Sequence, residues 1–584
     1  MKRSRITGAI AAAAALALAA PACTSTTEKE TSAPAYNAGN SKVVNPSSQT
    51  GGTVTYQLSN TPDSMDPGNM YYVYMWNFSR LYARSLTTFQ PAPGQDGLKL
   101  VPDLATGLGK TSDGGKTWTY HIRSGLKFSD GTPITTKDVK CAIERSNFAP
   151  DVLSNGPTYF KTYLVDNTPT YQGPYKDKAG DLKSIETPND TTIVFHLNQK
   201  FADFDYLVSS PQTAPVPKAK DTGADYVKNV VSSGSYKFES YQDGKGATLV
   251  KNPHWDAASD PIRKQLPDKI VAQFNIAQTT IDNNLIAGNA TLDLSSGGIT
   301  AATQASVLGD PDQKAHIDNS QSGALTYVAI STAVPPFNNI HCRRAVEYAV
   351  DKVSVQTATG GDVHGDIAST ILPPHIKGYT KFNLYPTPGN RGANSPEGLA
   401  AAKEQLKECG RPNGFSTNIS ARSDDPNEIA IAQAVQASLK KVGINISIQQ
   451  YPSGTYFTSH AGAPDFVHSR GLGLIMQSWL ADWPTGYGFL DQILNGKTIK
   501  ASGNSNLSEL NDPRINDMLT AAISNTDEAA RTKAWGDIDK AAMEQAAIVP
   551  LFYRKDLLYR PDNATNVFVS GAYGIYDYLN VGTK

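Results

Sequence analysis

The sequence predicts an α/β fold that contains more than one domain. Short runs of alternating apolar and polar residues, typical of half-buried strands, are interleaved along the chain with longer Ala-rich segments of helical spacing. No short internal repeat interrupts this order, which excludes a solenoid. The length of 584 residues is enough for about two to four domains with a large core.

The charge balance excludes two classes of protein. The chain carries 53 basic and 54 acidic residues, and 39% of its residues are hydrophobic. A polybasic nucleic-acid-binding protein or an acidic disordered protein would depart strongly from this composition. Small molecules and proteins are therefore the expected partners, and nucleic acid is not.

The first 22 residues have the order of features of a secretory signal peptide. Lys2, Arg3 and Arg5 precede an apolar run over residues 6–20, and small residues precede Cys23. These features resemble a bacterial lipobox, with Ala20 where leucine is usual, which predicts cleavage before Cys23 and lipidation of this cysteine. The alternative is an ordinary signal peptide followed by an incidental cysteine.

The segment after the predicted cleavage site is rich in Ser, Thr, Asn, Gly and Pro. With almost nothing apolar to bury, residues 23–50 are predicted to form a flexible tether. No other stretch approaches the length of apolar sequence that a spanning helix needs. The sequence thus predicts an extracytoplasmic protein tethered to a membrane.

The elements of the first half follow in order. Residues 52–58 alternate as a strand, and a turn-rich loop and a helix over residues 74–86 come next. Thr135 or Thr136 is the predicted N-cap of a further helix. The remaining predicted strands of this half cover residues 118–122, 192–196, 236–241, 247–251 and 269–276.

Helices dominate the prediction for the second half. They are expected over residues 279–287, 342–350, 398–408 and 427–442, and a strand over residues 444–450 follows the last of them.

Three cysteines remain after Cys23. Cysteine pairs are expected outside the cytoplasm, and Cys342 with Cys409 is a possible disulfide that would close a loop of 67 residues. Cys141 lies in a helical pattern and is expected to be a buried free thiol. Other pairings stay open, because connectivity does not follow from sequence.

Motifs of catalysis and cofactor binding are missing from the sequence. It contains neither HExxH nor GxSxG, and the glycines at 109, 114 and 115 do not have the spacing of a phosphate-binding loop. Gly471 and Gly473 lack the third glycine of a dinucleotide fingerprint. We therefore expect no catalytic residue, no cofactor and no metal site.

Six segments, taken in order, resemble the extracellular solute-binding protein family 5, the peptide- and nickel-binding receptors of ABC importers. They begin at residues 51, 100, 232, 335, 479 and 546. Their sequences are GGTVTYQLSNTPDSMDP, LVPDLATGL with DGGKTWTYHIRSGLKFSDGTPITTKDVKCAIERS, SSGSYKFESYQDGKGATLVKNPHW, PPFNNIHCRRAVEYAVDK, WLADWPTGYGFLDQIL and AAIVPLFYR.

The resemblance implies a two-lobed clamshell of the periplasmic-binding-protein type (type II). Lobe I would comprise residues 51–323, with an extra subdomain at about 90–211 and a C-terminal return over residues 548–584. Lobe II would comprise residues 324–547. Two apolar crossings, at residues 325–331 and 548–553, would form the hinge between the lobes.

The resemblance also implies a peptide site in the segment Trp479-Leu480-Ala481-Asp482. In peptide-binding members the aspartate of this segment pairs with the α-ammonium group of the ligand, and such a buried carboxylate selects for a free N-terminus. Asp482 is therefore the leading specificity residue; its alternative role is that of a helix-capping or surface aspartate near Pro484. Trp483 and Tyr487 follow in the same loop and would line the pocket, unless they are core residues.

The opposite wall of this site is expected in the first conserved loop. Thr61, Pro62 and Asp63 lie where the family offers backbone groups to an extended ligand. Tyr71 belongs to an aromatic cluster in the same region, whose alternative role is the buried start of a helix.

Together these features imply a non-enzymatic, monomeric, substrate-binding lipoprotein of an ABC importer. It would be anchored through Cys23 to the outer face of the bacterial cytoplasmic membrane, would bind peptides between its lobes, and would deliver them to the permease subunits. Two alternatives remain open: a receptor of the same family for another solute, such as an oligosaccharide or a metal chelate, and a secreted hydrolase.

Overall fold

The computed structural model describes residues 35–165, 171–177 and 182–584. The predicted signal peptide and the proposed lipid-bearing Cys23 lie outside these ranges. Within them, no helix combines the length and the apolar character needed to cross a bilayer.

Strands are numbered in chain order over the described residues. They are β1 (Thr53–Gln57), β2 (Thr87–Phe89), β3 (Leu100–Pro102), β4 (Lys110–Thr111), β5 (Thr117–His121), β6 (Ile185–Asn189), β7 (Thr192–His196), β8 (Tyr236–Gln242), β9 (Gly246–Lys251), β10 (Lys269–Gln273), β11 (Leu292–Asp293), β12 (Ile317–Ile330), β13 (Gly365–Ile367), β14 (Ser416–Arg422), β15 (Asn445–Tyr451), β16 (Leu474–Leu480), β17 (Ile548–Tyr559), β18 (Ala564–Thr565) and β19 (Gly582–Thr583).

The α-helices are numbered in the same way. They are α1 (Val73–Ser79), α2 (Thr136–Asn147), α3 (Tyr159–Tyr163), α4 (Phe204–Leu207), α5 (Gln278–Ile286), α6 (Ala301–Gly309), α7 (Pro311–Lys314), α8 (Ile340–Ala349), α9 (Lys352–Ala358), α10 (Pro396–Glu408), α11 (Pro426–Lys440), α12 (Ser453–Thr455), α13 (Pro464–Arg470), α14 (Gln492–Leu494), α15 (Pro513–Ile523) and α16 (Glu528–Glu544).

The three largest sheets of the described residues form the framework of the fold. A five-stranded sheet has the order β11-β1-β10-β9-β8, with β1 parallel to both of its neighbours. A four-stranded antiparallel sheet has the order β4-β5-β7-β6. A six-stranded mixed sheet has the order β13-β17-β12-β16-β14-β15, and all of its strands, including the long β12, come from the second half of the chain.

The two longest strands pair with each other at the centre of the six-stranded sheet. β12 is antiparallel to β17, and the register shifts between Gln321 and Leu325. Gly323, inside this irregularity, has a φ of 90°, a conformation that side-chain-bearing residues rarely adopt. The predicted hinge crossings fall within these two strands, and their role as a hinge stays a prediction.

Several predicted elements are confirmed almost to the residue. The strand expected at residues 52–58 is β1, and the helices expected at 398–408 and 427–442 are α10 and α11. Thr135 is the N-cap of α2: its backbone N–H and its hydroxyl both donate to the Asp138 carboxylate, at 2.8 and 2.9 Å, and together the two residues form a capping box. These elements have strong local signals, either a cap or a long helical period.

The helix expected at residues 74–86 is shorter than predicted, because α1 ends at Ser79. Beyond this point the backbone makes tertiary hydrogen bonds instead of helical ones. The carbonyl of Tyr82 accepts from the backbone N–H groups of Ser233 and Gly234, at 3.0 and 2.9 Å. The N–H of Arg84 donates to the Ser233 hydroxyl at 3.0 Å.

The predicted flexible tether is partly wrong. From residue 35 onward its backbone is anchored: Asn37 N–H donates to Ile317 O at 2.8 Å, and Gly39 N–H donates to the buried Asp318 carboxylate at 2.8 Å. Val44 then pairs with Val567 as an antiparallel bridge. The segment is mostly polar, so it is held mainly through its backbone, and Ala38 and Val44 are its buried apolar residues.

The second half contains the predicted cysteine pair. Cys342 in α8 and Cys409 at the end of α10 form a disulfide, with Cα atoms 5.2 Å apart. Cys141 lies in α2, where it is buried and unpaired.

Candidate functional site

The candidate site lies beyond the end of a central strand. β16 lies between β12 and β14 and ends at Leu480, so Asp482 is placed two residues past the strand, at the edge of the six-stranded sheet. The loop after β1 carries Tyr71, and the short helix α3 begins with Tyr159. These three segments are far apart in sequence and converge on one carboxylate.

Asp482 is held by two phenolic hydroxyls. The Tyr159 hydroxyl donates to Oδ2 of Asp482, and the Tyr71 hydroxyl donates a second hydrogen bond to the same carboxylate. Burial raises the pKa of Asp482, and these two hydrogen bonds oppose the rise. The Asp482 carboxylate in turn, together with burial, raises the pKa of Tyr71. The cluster is therefore a partly buried acid whose charge is stabilised by neutral donors and by no cation among the described residues.

Asp63 positions Tyr71. One oxygen of the Asp63 carboxylate accepts from the backbone N–H groups of Tyr71 and Tyr72, the second at 3.1 Å, and the other oxygen accepts from Ser64 N–H at 3.0 Å. Burial raises the pKa of Asp63 in spite of these bonds. The structure thus gives Asp63 a role in holding the loop, and its predicted contact with ligand stays a prediction.

The other members of the first loop differ in exposure. Thr61 is exposed, and its hydroxyl accepts a hydrogen bond from the Asn275 amide at 3.0 Å, whereas Pro62 is buried. The side chains of Tyr71 and Tyr72 are 44% and 52% exposed, and the rings of Tyr72 and Tyr74 stack at 5.4 Å. The loop therefore exposes two large aromatic side chains, of which Tyr71 contacts the Asp482 carboxylate.

Trp479, Leu480 and Ala481 are half-buried. The indole N–H of Trp479 donates to Gly488 O at 3.3 Å, which fixes the ring against the loop that follows β16. All three side chains are therefore partly exposed, and their contact with a ligand stays a prediction.

Trp483 and Tyr487 belong to the core. They are 3% and 2% exposed, and their rings stack at 5.7 Å. The Trp483 ring also meets Tyr159 edge to face at 5.1 Å. Burial thus favours their alternative role as core residues, in which Trp483 supports the tyrosine that holds Asp482.

Two residues of the site were not predicted from the sequence. Tyr159 is separated from Asp482 by 323 residues and lies in a five-residue helix, so no local pattern marks it. Asp203 precedes α4 and is fully buried. Its position could be interpreted from sequence as an ordinary helix cap, and neither residue offered a signal of function.

Asp203 links α4 to the loop that follows Asp482. Its Oδ2 accepts from the Trp483 indole at 3.2 Å and from the Thr485 hydroxyl at 2.5 Å, and its Oδ1 pairs with Arg531 Nε of α16 at 3.2 Å. Burial raises the pKa of Asp203, against the opposing effect of the Arg531 charge. Close by, Ala202 N–H donates to Ile523 O at 2.8 Å.

Comparison with known proteins agrees with the segment order found in the sequence. Residues 99–501 match the family described as bacterial extracellular solute-binding proteins, family 5, middle. A solved structure of a protein named clavulanic acid biosynthesis oligopeptide binding protein 2 is 41% identical, with a TM-score of 0.91, and the match covers 94% of this chain and 99% of that chain.

Curated relatives are more distant in sequence and similar in length. A probable D,D-dipeptide-binding periplasmic protein of Escherichia coli (strain K12) is 25% identical over 84% of this chain and 87% of its own length. The periplasmic oligopeptide-binding protein of the same organism is 24% identical over 78% of this chain and 80% of its own length.

Proposed function

Because the chain belongs to family 5 of the bacterial extracellular solute-binding proteins, we propose that it binds peptides through their free N-terminus and delivers them to an ABC permease. The fold is the two-lobed α/β fold of this family, as predicted. No catalytic step is required for such a function.

The observation that carries the proposal is the Asp482 cluster. A carboxylate whose pKa is raised by burial gains most from a cationic partner that can be buried with it. The α-ammonium group of a peptide has the required charge and three donors. The names of the relatives, an oligopeptide binding protein and a dipeptide-binding protein, support the same class of ligand.

The cluster draws on both proposed lobes. Tyr71 and Tyr159 fall within the range proposed for lobe I, and Asp482 falls within the range proposed for lobe II. A ligand held between them would stabilise the closed state, and closure would present a new surface to the permease. Trp479 and the exposed Tyr71 would flank the first residue of the peptide.

The proposal includes membrane attachment through Cys23. The signal-like start of the chain and the cysteine that follows small residues support it. Mass spectrometry of the N-terminal peptide of the protein isolated from membranes would detect a diacylglycerol adduct on Cys23. Release of the Cys23→Ala protein into the soluble fraction is the expected outcome, and an unmodified Cys23 in the wild-type protein would contradict the proposal.

The decisive experiment compares two peptide pools on one protein. Native mass spectrometry is carried out after unfolding and refolding to remove bound ligand, first with a mixed peptide pool and then with the same pool N-acetylated. We expect retention of free-amine peptides and loss of binding on acetylation, because the acetylated amide carries no charge for Asp482.

Two variants distinguish loss of the Asp482 contact from a general effect of replacing a buried aspartate. Asp482→Asn should lower affinity for free-amine peptides by about tenfold or more, the effect of losing one charge-assisted hydrogen bond. Asp491→Asn is the matched control: Asp491 is buried with a pKa raised to about 6, and its hydrogen-bond partner is Asn495, outside the cluster. Equal binding of both pools would refute the role of Asp482, and binding of neither would refute the peptide assignment.

A further inference from the structure

Four segments that meet around the Asp482 cluster contain no basic residue. They are residues 43–79, 146–160, 270–313 and 471–496, which together make up about a fifth of the chain. The whole chain has 53 lysine and arginine residues, yet none of them falls in these segments, which hold nine acidic residues. The surroundings of the site are therefore depleted of positive charge.

Hydrogen bonds between the segments place them at one site. β1 is parallel to β10 and β11, so the loops that follow these three strands leave the sheet at the same edge. Asn275, after β10, donates to the Thr61 hydroxyl of the loop after β1 at 3.0 Å. The same loop carries Tyr71, which donates to Asp482 together with Tyr159. Acidic residues near the ends of these loops therefore act on a single ligand site.

Three carboxylates at this site, those of Asp63, Asp293 and Asp482, form no ion pair with any residue that the structure describes. Asp63 accepts from backbone N–H groups, and Asp293 accepts from the N–H and the hydroxyl of Ser295, at 2.9 and 2.8 Å. Burial, followed by nearby groups that include the charges of Asp63 and Asp293, raises the pKa of Tyr74, so both acids lie near its hydroxyl. The α-ammonium group of a peptide supplies only one positive charge for these three acids.

The two arginines of the six-stranded sheet do not supply the missing charge. Arg422, at the end of β14, pairs with Asp425 and Glu428 at 3.2 and 2.7 Å. Arg554 of β17 pairs with Asp556 at 3.0 Å. Each arginine is thus matched by at least one acid. A cleft lined by charges of one sign focuses the electric field and raises the local concentration of oppositely charged ligands, so this site favours cations.

An exposed aromatic ring lies next to these acids. The ring of Tyr72 stacks on Tyr74 at 5.4 Å, and 52% of the surface of Tyr72 stays exposed. An ammonium or guanidinium group over the face of a tyrosine is attracted by the electrons of the ring. The same protein forms such a contact elsewhere, where Lys314 Nζ lies 5.1 Å from the centre of the Tyr36 ring. The ring of Tyr72 is therefore suited to bind a cationic side chain.

We propose that the site selects peptides with a basic side chain, arginine or lysine, next to their N-terminus. The inference rests on the proposed peptide function and deepens it. The α-ammonium group pairs with Asp482, and the basic side chain lies against Tyr72, in the field of Asp63 and Asp293. A guanidinium can stack on an aromatic ring and pair with a carboxylate at the same time, so arginine fits best. An acidic side chain in the same position would be repelled.

The test is calorimetry with the peptide Arg-Ala-Ala and its citrulline analogue, which has the same shape and no side-chain charge. We expect the arginine peptide to bind at least about tenfold more tightly, and this ratio to fall as salt is added. N-acetylated Arg-Ala-Ala separates the two claims. Equal affinity of the arginine and citrulline peptides, with loss of binding on acetylation, would overturn the selectivity and leave the proposed function intact. Binding of no peptide would refute both.

Three tyrosine variants test the position of the basic side chain. Tyr72→Leu removes the aromatic face, so the ratio of arginine to citrulline affinity should fall about 3- to 10-fold, whereas Tyr72→Phe keeps the ring and should keep the ratio. The exposure of Tyr72 makes both changes compatible with folding. Tyr36→Leu is the matched control, because Tyr36 is 37% exposed and contacts Lys314 instead of the site. An unchanged ratio in Tyr72→Leu would overturn the proposal.

Discussion

Asp482 is held by two phenol groups, and each hydrogen bond opposes the effect of burial on its pKa. If the carboxylate binds an ammonium group, peptide affinity must fall when the pH drops through the raised pKa of Asp482. This residue therefore sets the acid limit of binding.

Tyr159→Phe should move this acid limit to higher pH. The variant removes a hydrogen bond that stabilises the charged form, and each 1.4 kcal/mol lost raises the pKa by about one unit. Peptide affinity measured by calorimetry across pH 4–7 checks the shift. Tyr487→Phe is the control, because its buried hydroxyl has no partner among the described residues; an equal shift in both variants would contradict the assignment.

A second buried acid makes stability depend on pH. Asp539 of α16 accepts from the backbone N–H groups of Ile371 and Leu372, at 2.9 and 3.1 Å, and burial raises its pKa to about 7. Between the unfolded pKa of about 3.9 and this value, the folded state binds more protons than the unfolded state. Asp539 therefore lowers stability as the pH rises from about 4 to about 7.

Asp539→Asn should flatten this dependence. Urea unfolding at pH 5 and at pH 7 should show a smaller difference in the variant than in the wild type, by up to about 1.4 kcal/mol per pH unit. The absolute stability of the variant should be lower, because an amide oxygen accepts from only one of the two N–H groups in this geometry. An unchanged pH difference would exclude Asp539 as its source.

At the scale of elements, amphipathic helices and strands and capped helices were predicted from the sequence. Strands and helices that are buried on more than one face were missed. β16 has the sequence LIMQSWL and lies between two other strands; its apolar residues form two short runs separated by Gln477 and Ser478, so the strand shows no alternation. α16 was also missed, because its buried face includes Asp539 and Arg531, which from the sequence look like surface residues. In both elements, the residues are buried by packing against segments that are distant in sequence, so the local sequence does not show which side chains are buried.

The disulfide stabilises the pair of helices α8 and α10. Cys342 and Cys409 close a loop with a sequence separation of 67, and Cys342 is fully buried. The double variant Cys342→Ala/Cys409→Ala should lose about 2–4 kcal/mol of unfolding free energy. Chemical denaturation under oxidising and reducing conditions checks this: reduction should destabilise the wild type and leave the double variant unchanged.

At the scale of the whole molecule, the order of six sequence segments was sufficient to predict the family and the two-lobed fold. The contacts between distant segments were not predictable in this way. The bonds of Asp203 to Trp483, Thr485 and Arg531 join the proposed subdomain of lobe I to the proposed lobe II. They depend on the final packing, which no single segment encodes.

Asp203→Asn should favour the open state. The asparagine keeps the shape of the side chain but cannot form the ion pair with Arg531. The closed state is therefore destabilised relative to the open state. Small-angle scattering of the ligand-free protein should give a larger radius of gyration, and peptide affinity should fall. Asp66→Asn is the control: Asp66 pairs with Arg145 at 2.8 Å inside proposed lobe I, so it should lower Tm without changing the radius.

The anchored segment at the start of the described chain limits how this protein can move at a membrane. If Cys23 carries the lipid, only twelve residue steps separate it from Ala35, whose carbonyl accepts from the Arg560 guanidinium; the backbone contact with β12 begins at Asn37. Such a length spans at most about 40 Å. The point at which the body of the protein begins, beside β12 and β17, would then stay within about 40 Å of the lipid. A protein attached in this way would meet a partner in the same membrane by lateral diffusion in the bilayer plane and not by diffusion from solution.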